Sequence, residues 1–167
     1  MESSDVSRVN SDLLEALAET GRAGRYSTGS PRLVAKLLGE IPIFSELSGH
    51  HRRRVAAHGE IAEIPAGQAF VWEGFTGEAA FVLLTGSAIV DRGGVQVNQV
   101  DRGAVIGELS LLCGHPCSAT VTAAEDLWVL RIKRTAFRRL LEQEPTLALH
   151  LLESVGQRLW AAEHAGP

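Results

Sequence analysis

Short apolar stretches arrive about every ten residues between positions 60 and 132, and glycine or aspartate stands in most of the gaps. No other feature constrains the fold as much as that cadence. Residues 60–64 (EIAEI) alternate polar and apolar positions, the signature of a half-buried strand. A Pro65-Ala66-Gly67 turn precedes a second strand over 68–72, and the run AAFVLL at 79–84 predicts a buried strand. Gly86 ends it, and 87–90 predicts another. Arg92-Gly93-Gly94 is then a hairpin signal before VQVNQV at 95–100, the cleanest alternation in the chain. Residues 104–106, 118–122 and 127–132 complete the series. Strands at this spacing predict a β-sandwich or barrel and exclude a βαβ fold.

Helical patterns frame the strands. Residues 4–20 set Val6, Val9, Leu13 and Leu17 on one narrow stripe. It suits either a helix–helix contact in trans or a helix folded onto its own domain. The stretch GRAGRYSTGS at 21–30 reads as a linker. Ser30-Pro31 then predicts a helix start, with Ser30 as N-cap, an apolar face of Leu33, Val34, Leu37 and Leu38, and Gly39 as the stop. Ser48 is placed to cap a helix carrying Arg52, Arg53 and Arg54. After the strands, 134–143 is helical with Phe137, Leu140 and Leu141 on one face. Pro145 opens a helix to about 163, along which Leu147, Leu151, Leu152, Val155 and Leu159 run at helical spacing.

The most informative stretch is GAVIGELSLLCGHPCSATVT at 103–122. It reads as a strand end, a turn at Gly107, a short helix over 108–112, a loop with Gly114 and Pro116, and a new strand. Backbone N–H groups at such a helix start are unpaired, and together with the helix dipole they favour an anion or phosphate.

Composition narrows the function classes. A chain of 167 residues with 45% hydrophobic and 22% charged residues has the make-up of a soluble domain with a core plus an extension. A formal net charge of −4 gives no electrostatic case for a nucleic-acid surface. The basic runs at 52–54 and 131–139 fall on helices or helix starts and read as solvated faces. The first ten residues hold no apolar run, so no signal peptide is expected. The longest apolar run, 79–84, is far short of the roughly 20 residues of a membrane helix. Two cysteines make no disulfide framework, and the expected compartment is the cytoplasm. No Ser-His-Asp arrangement, P-loop or dinucleotide fingerprint is present, so no catalytic residues and no enzyme activity are expected. Cys113-Gly-His115-Pro-Cys117 offers two thiols and an imidazole without a fourth metal ligand, and no metal site is expected. The same pair reads as a redox couple closing the loop, or as two ordinary small residues.

Gly107-Glu108-Leu109-Ser110-Leu111-Leu112, then five residues, then Ser118-Ala119-Thr120-Val121, resembles the phosphate-binding cassette of the cyclic-nucleotide-binding domain family. Ile41-Pro42-Ile43-Phe44 resembles the entry segment of the same family, and the resemblance runs over roughly 41–160. It implies an eight-stranded jelly-roll barrel at about 58–133, with C-terminal helices at about 134–163. The domain would span 30–167, with 1–29 as an amphipathic helix and linker. The resemblance also implies a ligand site at Ile106, Gly107, Glu108, Leu109, Ser110, Cys117, Ser118 and Ala119. Glu108 would take the ribose 2′-hydroxyl of cAMP or cGMP, with no tightly bound cofactor.

One position departs from the pattern. Nine residues after Glu108 the family carries an arginine that pairs with the cyclic phosphate, and this chain carries Cys117. A guanidinium brings fixed charge and a planar fork, whereas a thiol brings one weak donor. Two charge-assisted bonds of about 1.5–3 kcal/mol each correspond to a hundredfold or more in affinity. Two functions follow as expectations. One is a regulatory sensor of a cyclic nucleotide that shifts its C-terminal helix. The other is a ligand-independent interaction or homodimerisation module that uses its helical segments.

Overall fold

The computed structural model describes residues 30–166, so the helix expected at 4–20 and the linker up to 29 lie outside the described residues. Three short helices lead in: α1 (Pro31–Leu38), α2 (Pro42–Ser45) and α3 (Gly49–Ala57). Proline stands in the first turn of α1 and α2, where its missing N–H costs no bond and its fixed φ suits the helix. Ser30 occupies the N-cap of α1 without a side-chain capping bond, so the proline and the apolar face set this start. Ser48 does cap α3, its hydroxyl accepting from the His51 N–H at 3.2 Å.

The strands follow as β1 (Glu60–Ile64), β2 (Ala69–Val71), β3 (Ala79–Leu83), β4 (Ser87–Arg92), β5 (Val95–Asp101) and β6 (Val105–Ile106). A one-and-a-half-turn helix, α4 (Glu108–Cys113), separates them from β7 (Thr120–Ala123) and β8 (Leu127–Lys133). Two more helices, α5 (Arg134–Gln143) and α6 (Pro145–His164), close the described chain. The strands form two antiparallel four-stranded sheets in the orders β1-β8-β3-β6 and β2-β7-β4-β5. Among the described residues no strand pairing joins one sheet to the other, so the expected closed barrel is seen as an open sandwich.

The first sheet divides two cores, and the period of two along its strands explains how. Ala80 and Val82 of β3, with Trp128, Leu130 and Ile132 of β8, face a cluster filled by the helices. Phe81 and Leu83, with Leu127 and Val129, face the second sheet. Both faces of β3 are therefore buried, which accounts for its unbroken apolar run. Phe70 and Phe81 meet edge to face between the sheets, with ring centroids 5.3 Å apart.

Two patterns in the sequence mislead. The regular alternation of β5 suggests a half-buried strand, yet β5 is an edge strand and leaves Val95 and Val97 exposed. Pairing shifts by one residue between Val90 and Asp91, so Val97 is the extra residue and only Val100 turns inward. Along α6 the helical stripe is real but half used: Leu147 and Leu151 are buried, while Leu152 and Leu159 are 67% and 60% exposed. The junction of α5 and α6 is fixed by the buried Glu144 carboxylate, which meets Arg54 at 3.2 Å and His51 at 3.5 Å from α3.

Candidate functional site

Gly107 turns the chain from β6 into α4 at φ +82°, a left-handed conformation that suits glycine. A Cβ there would stand 2.9 Å from the carbonyl oxygen of Ala79, so the turn also needs the missing side chain for space. No side chain caps α4, which leaves its first N–H groups open. Beside this turn lies a cavity of about 360 Å3. Its floor is apolar, formed by Val90, Val100, Ile106 and Val121 from both sheets. All eight expected ligand residues, Ile106, Gly107, Glu108, Leu109, Ser110, Cys117, Ser118 and Ala119, line this one cavity.

Their side chains have different surroundings. Glu108 is 2% exposed, and its carboxylate pairs with Arg158, which reaches across from α6 and stays 51% exposed. Ser110 is buried and its hydroxyl is fully engaged, accepting from the Gly77 N–H at 3.1 Å and donating to the His115 carbonyl at 2.6 Å. It holds the cassette together and has no proton left for a ligand. Leu109 points largely to solvent. Cys117 is half-buried, and its backbone is clamped to the β2–β3 loop: its N–H donates to Phe75 O at 2.9 Å, and its carbonyl accepts from Gly74 at 2.8 Å. Gly77 is part of the same clamp, since a Cβ there would fall 2.7 Å from the Ser110 hydroxyl.

Sequence reasoning reads the stretches 79–84 and 104–106 as strands, with Val82 and Val105 among their apolar residues. Val105 borders the cavity, and Val82 belongs to the helix-side core. It missed Val90, Val100 and Val121, which their inward phase on flanking strands would have revealed. Arg158 carries no local signal, because it meets Glu108 across a separation of 50 residues. Arg131, the first residue of the basic run at 131–139, pairs with Glu60 at 3.1 Å. Cys113 and Cys117 are both free thiols bordering the cavity. Among the described residues no group of three or more His, Cys, Asp or Glu side chains is arranged to hold a metal ion. None of their helices is long and apolar enough to cross a membrane.

A two-sheet sandwich with a glycine-opened cassette and a buried carboxylate beside a half-open cavity has the architecture of a small-ligand-binding domain. The profile of the family described as "Cyclic nucleotide-binding domain" matches residues 61–144, and the chain belongs to that family. Among curated proteins it is 34% identical over 112 residues to a cAMP-dependent protein kinase regulatory subunit of Aspergillus niger. That match covers 66% of this chain and 27% of the relative, so the chain spans less than a third of that protein. Among solved structures, the regulatory domain of Toxoplasma gondii protein kinase A with cAMP superposes at a TM-score of 0.67 and 22% identity. It covers 76% of this chain and 50% of that one. The regulatory subunit of a cAMP-independent protein kinase A from Trypanosoma brucei gives 0.64 at 24%, covering 73% and 45%. These two likenesses are of fold.

Proposed function

We propose that this chain is a regulatory cyclic-nucleotide sensor that binds cAMP or cGMP in the cavity beside Gly107. The observation that carries the reading is Glu108: a buried carboxylate at the cavity wall whose partner is a half-exposed arginine from the C-terminal helix. A ribose hydroxyl donates to such a carboxylate, and the apolar floor suits a purine. The volume of about 360 Å3 falls within the roughly 300–1,000 Å3 typical of small-molecule sites. On this reading the ligand takes Glu108 from Arg158, and the far half of α6 is released. A signal of that kind needs only a difference in ligand affinity between two helix positions.

The sandwich is a jelly roll on this reading, and the strand orders β1-β8-β3-β6 and β2-β7-β4-β5 support it. Residues 30–167 act as the unit, and 1–29 as an extension to it. The unit is non-catalytic and cytoplasmic. A protein partner or second copy meets it through its helices.

A second reading is favoured by Cys117, which brings no charge to the cavity. In it the domain is a ligand-independent interaction module; the same fold occurs in the regulatory subunit of a protein kinase A from Trypanosoma brucei that is cAMP-independent. Calorimetric titration with cAMP and cGMP separates the two. The sensor reading expects saturable binding by the wild type that Glu108→Ala abolishes. A wild type that binds neither nucleotide contradicts it and favours the interaction module.

A further inference from the structure

A monoanionic cyclic phosphate buried beside an apolar floor needs a cation, and Cys117 supplies none. Two of the nearby arginines are committed: Arg158 pairs with Glu108 and Arg131 with Glu60. A third, Arg134, donates to the carbonyl of Gly77. Arg92 differs. It ends β4, two residues beyond Val90, and Val90 lines the cavity opposite its register partner Val121. The extra residue of the nearby bulge sits on β5, so β4 keeps its period of two and Arg92 belongs to the same face as Val90. Its Nε donates to the carbonyl of Ser118 at 3.0 Å, and Ser118 is a cavity residue that follows Cys117 directly.

That bond uses one of the five donors of the guanidinium. Among the described residues it is the one hydrogen bond the Arg92 side chain makes, and none of their carboxylates stands within ion-pair distance of it. We propose that Arg92 is the phosphate anchor of this domain, delivering from β4 the charge that the cassette lacks at Cys117. The carbonyl of Ser118 holds the Nε edge and leaves the two terminal amino groups for the phosphate oxygens. This inference rests on the cyclic-nucleotide reading of the same cavity.

The test is a titration of the whole chain with cAMP and with cGMP, with adenosine as the phosphate-free control for cAMP. The proteins are the wild type, Arg92→Gln, Arg92→Lys, Cys117→Arg and the double variant Cys117→Arg/Arg92→Gln. Loss of a charge-assisted contact predicts that Arg92→Gln weakens cAMP by about ten- to a hundredfold and leaves adenosine unchanged. Arg92→Lys retains part of the affinity, and the double variant binds cAMP without needing Arg92. Equal cAMP affinity in wild type and Arg92→Gln overturns the anchor, as does a parallel loss of adenosine, and both leave the cavity reading standing. Binding by Cys117→Arg alone also overturns the anchor while showing a working cavity. Failure of every protein to bind cAMP or cGMP overturns both.

Discussion

At the residue scale the site depends on a few positions with no substitute. Gly107 is the clearest, because its left-handed backbone and the carbonyl of Ala79 at 2.9 Å both exclude a side chain. Strain of this kind costs about 1–3 kcal/mol. Gly107→Ala is therefore expected to lower the unfolding free energy by that order, read as a lower denaturant midpoint at an unchanged m-value, and to disturb the turn that presents Glu108. An unchanged midpoint would show that the turn is not held as described. Gly107 and Glu108 were legible in the sequence because their chemistry is local, a turn followed by a helix start. Ser110 was read as a ligand residue, and its engagement was hidden because its donor, Gly77, lies 33 residues earlier in the chain. Arg92 was hidden differently: beside two glycines it reads as hairpin, and only the β4–β7 pairing brings it to Ser118.

At the scale of elements, α6 is held in two separate ways. Its first half buries Leu147 and Leu151 and is tied to α2 by His150, whose Nδ1 donates to the carbonyl of Ile43 at 3.0 Å. The Nε2 of the same ring faces the Glu46 carboxylate at 2.9 Å, so both nitrogens address acceptors and only the imidazolium serves both. The Ile43 carbonyl is the main cause that raises the His150 pKa, with Glu46 and Glu153 adding to it and burial opposing. Arg102, paired with Glu40, shares the adjoining groove. Because the folded value is raised, the tie is fully present below the ordinary imidazole value and is lost as pH rises through the raised one. Denaturation across about pH 5.5 to 8.5 should show wild type losing an advantage over His150→Gln as pH increases. A difference independent of pH would contradict the tie. The second half of α6 buries no large side chain and meets the site through Arg158. The sequence showed a helix here but not this division, since a stripe at helical spacing looks the same whether or not anything covers it.

On the scale of the whole molecule, the first sheet lies between the inter-sheet core and the core on which α6 is seated. The cavity opens on the inter-sheet core, where Val90, Val100 and Cys117 pack against its edge, while α6 is seated on the helix-side core. Strand number and order of arrival were readable from the cadence of turns; the split into two open sheets was not, because pairing is a long-range property. Among the described residues, Glu108–Arg158 is the ion pair that joins the cavity wall to α6. On the proposed reading, ligand and helix compete for this one carboxylate. Hydrogen–deuterium exchange over residues 152–164, measured with and without saturating cAMP, tests it most directly. Faster exchange in that segment with ligand bound is the predicted result, because its anchor has been taken. Exchange that stays unchanged or slows while the nucleotide is bound would contradict the claim.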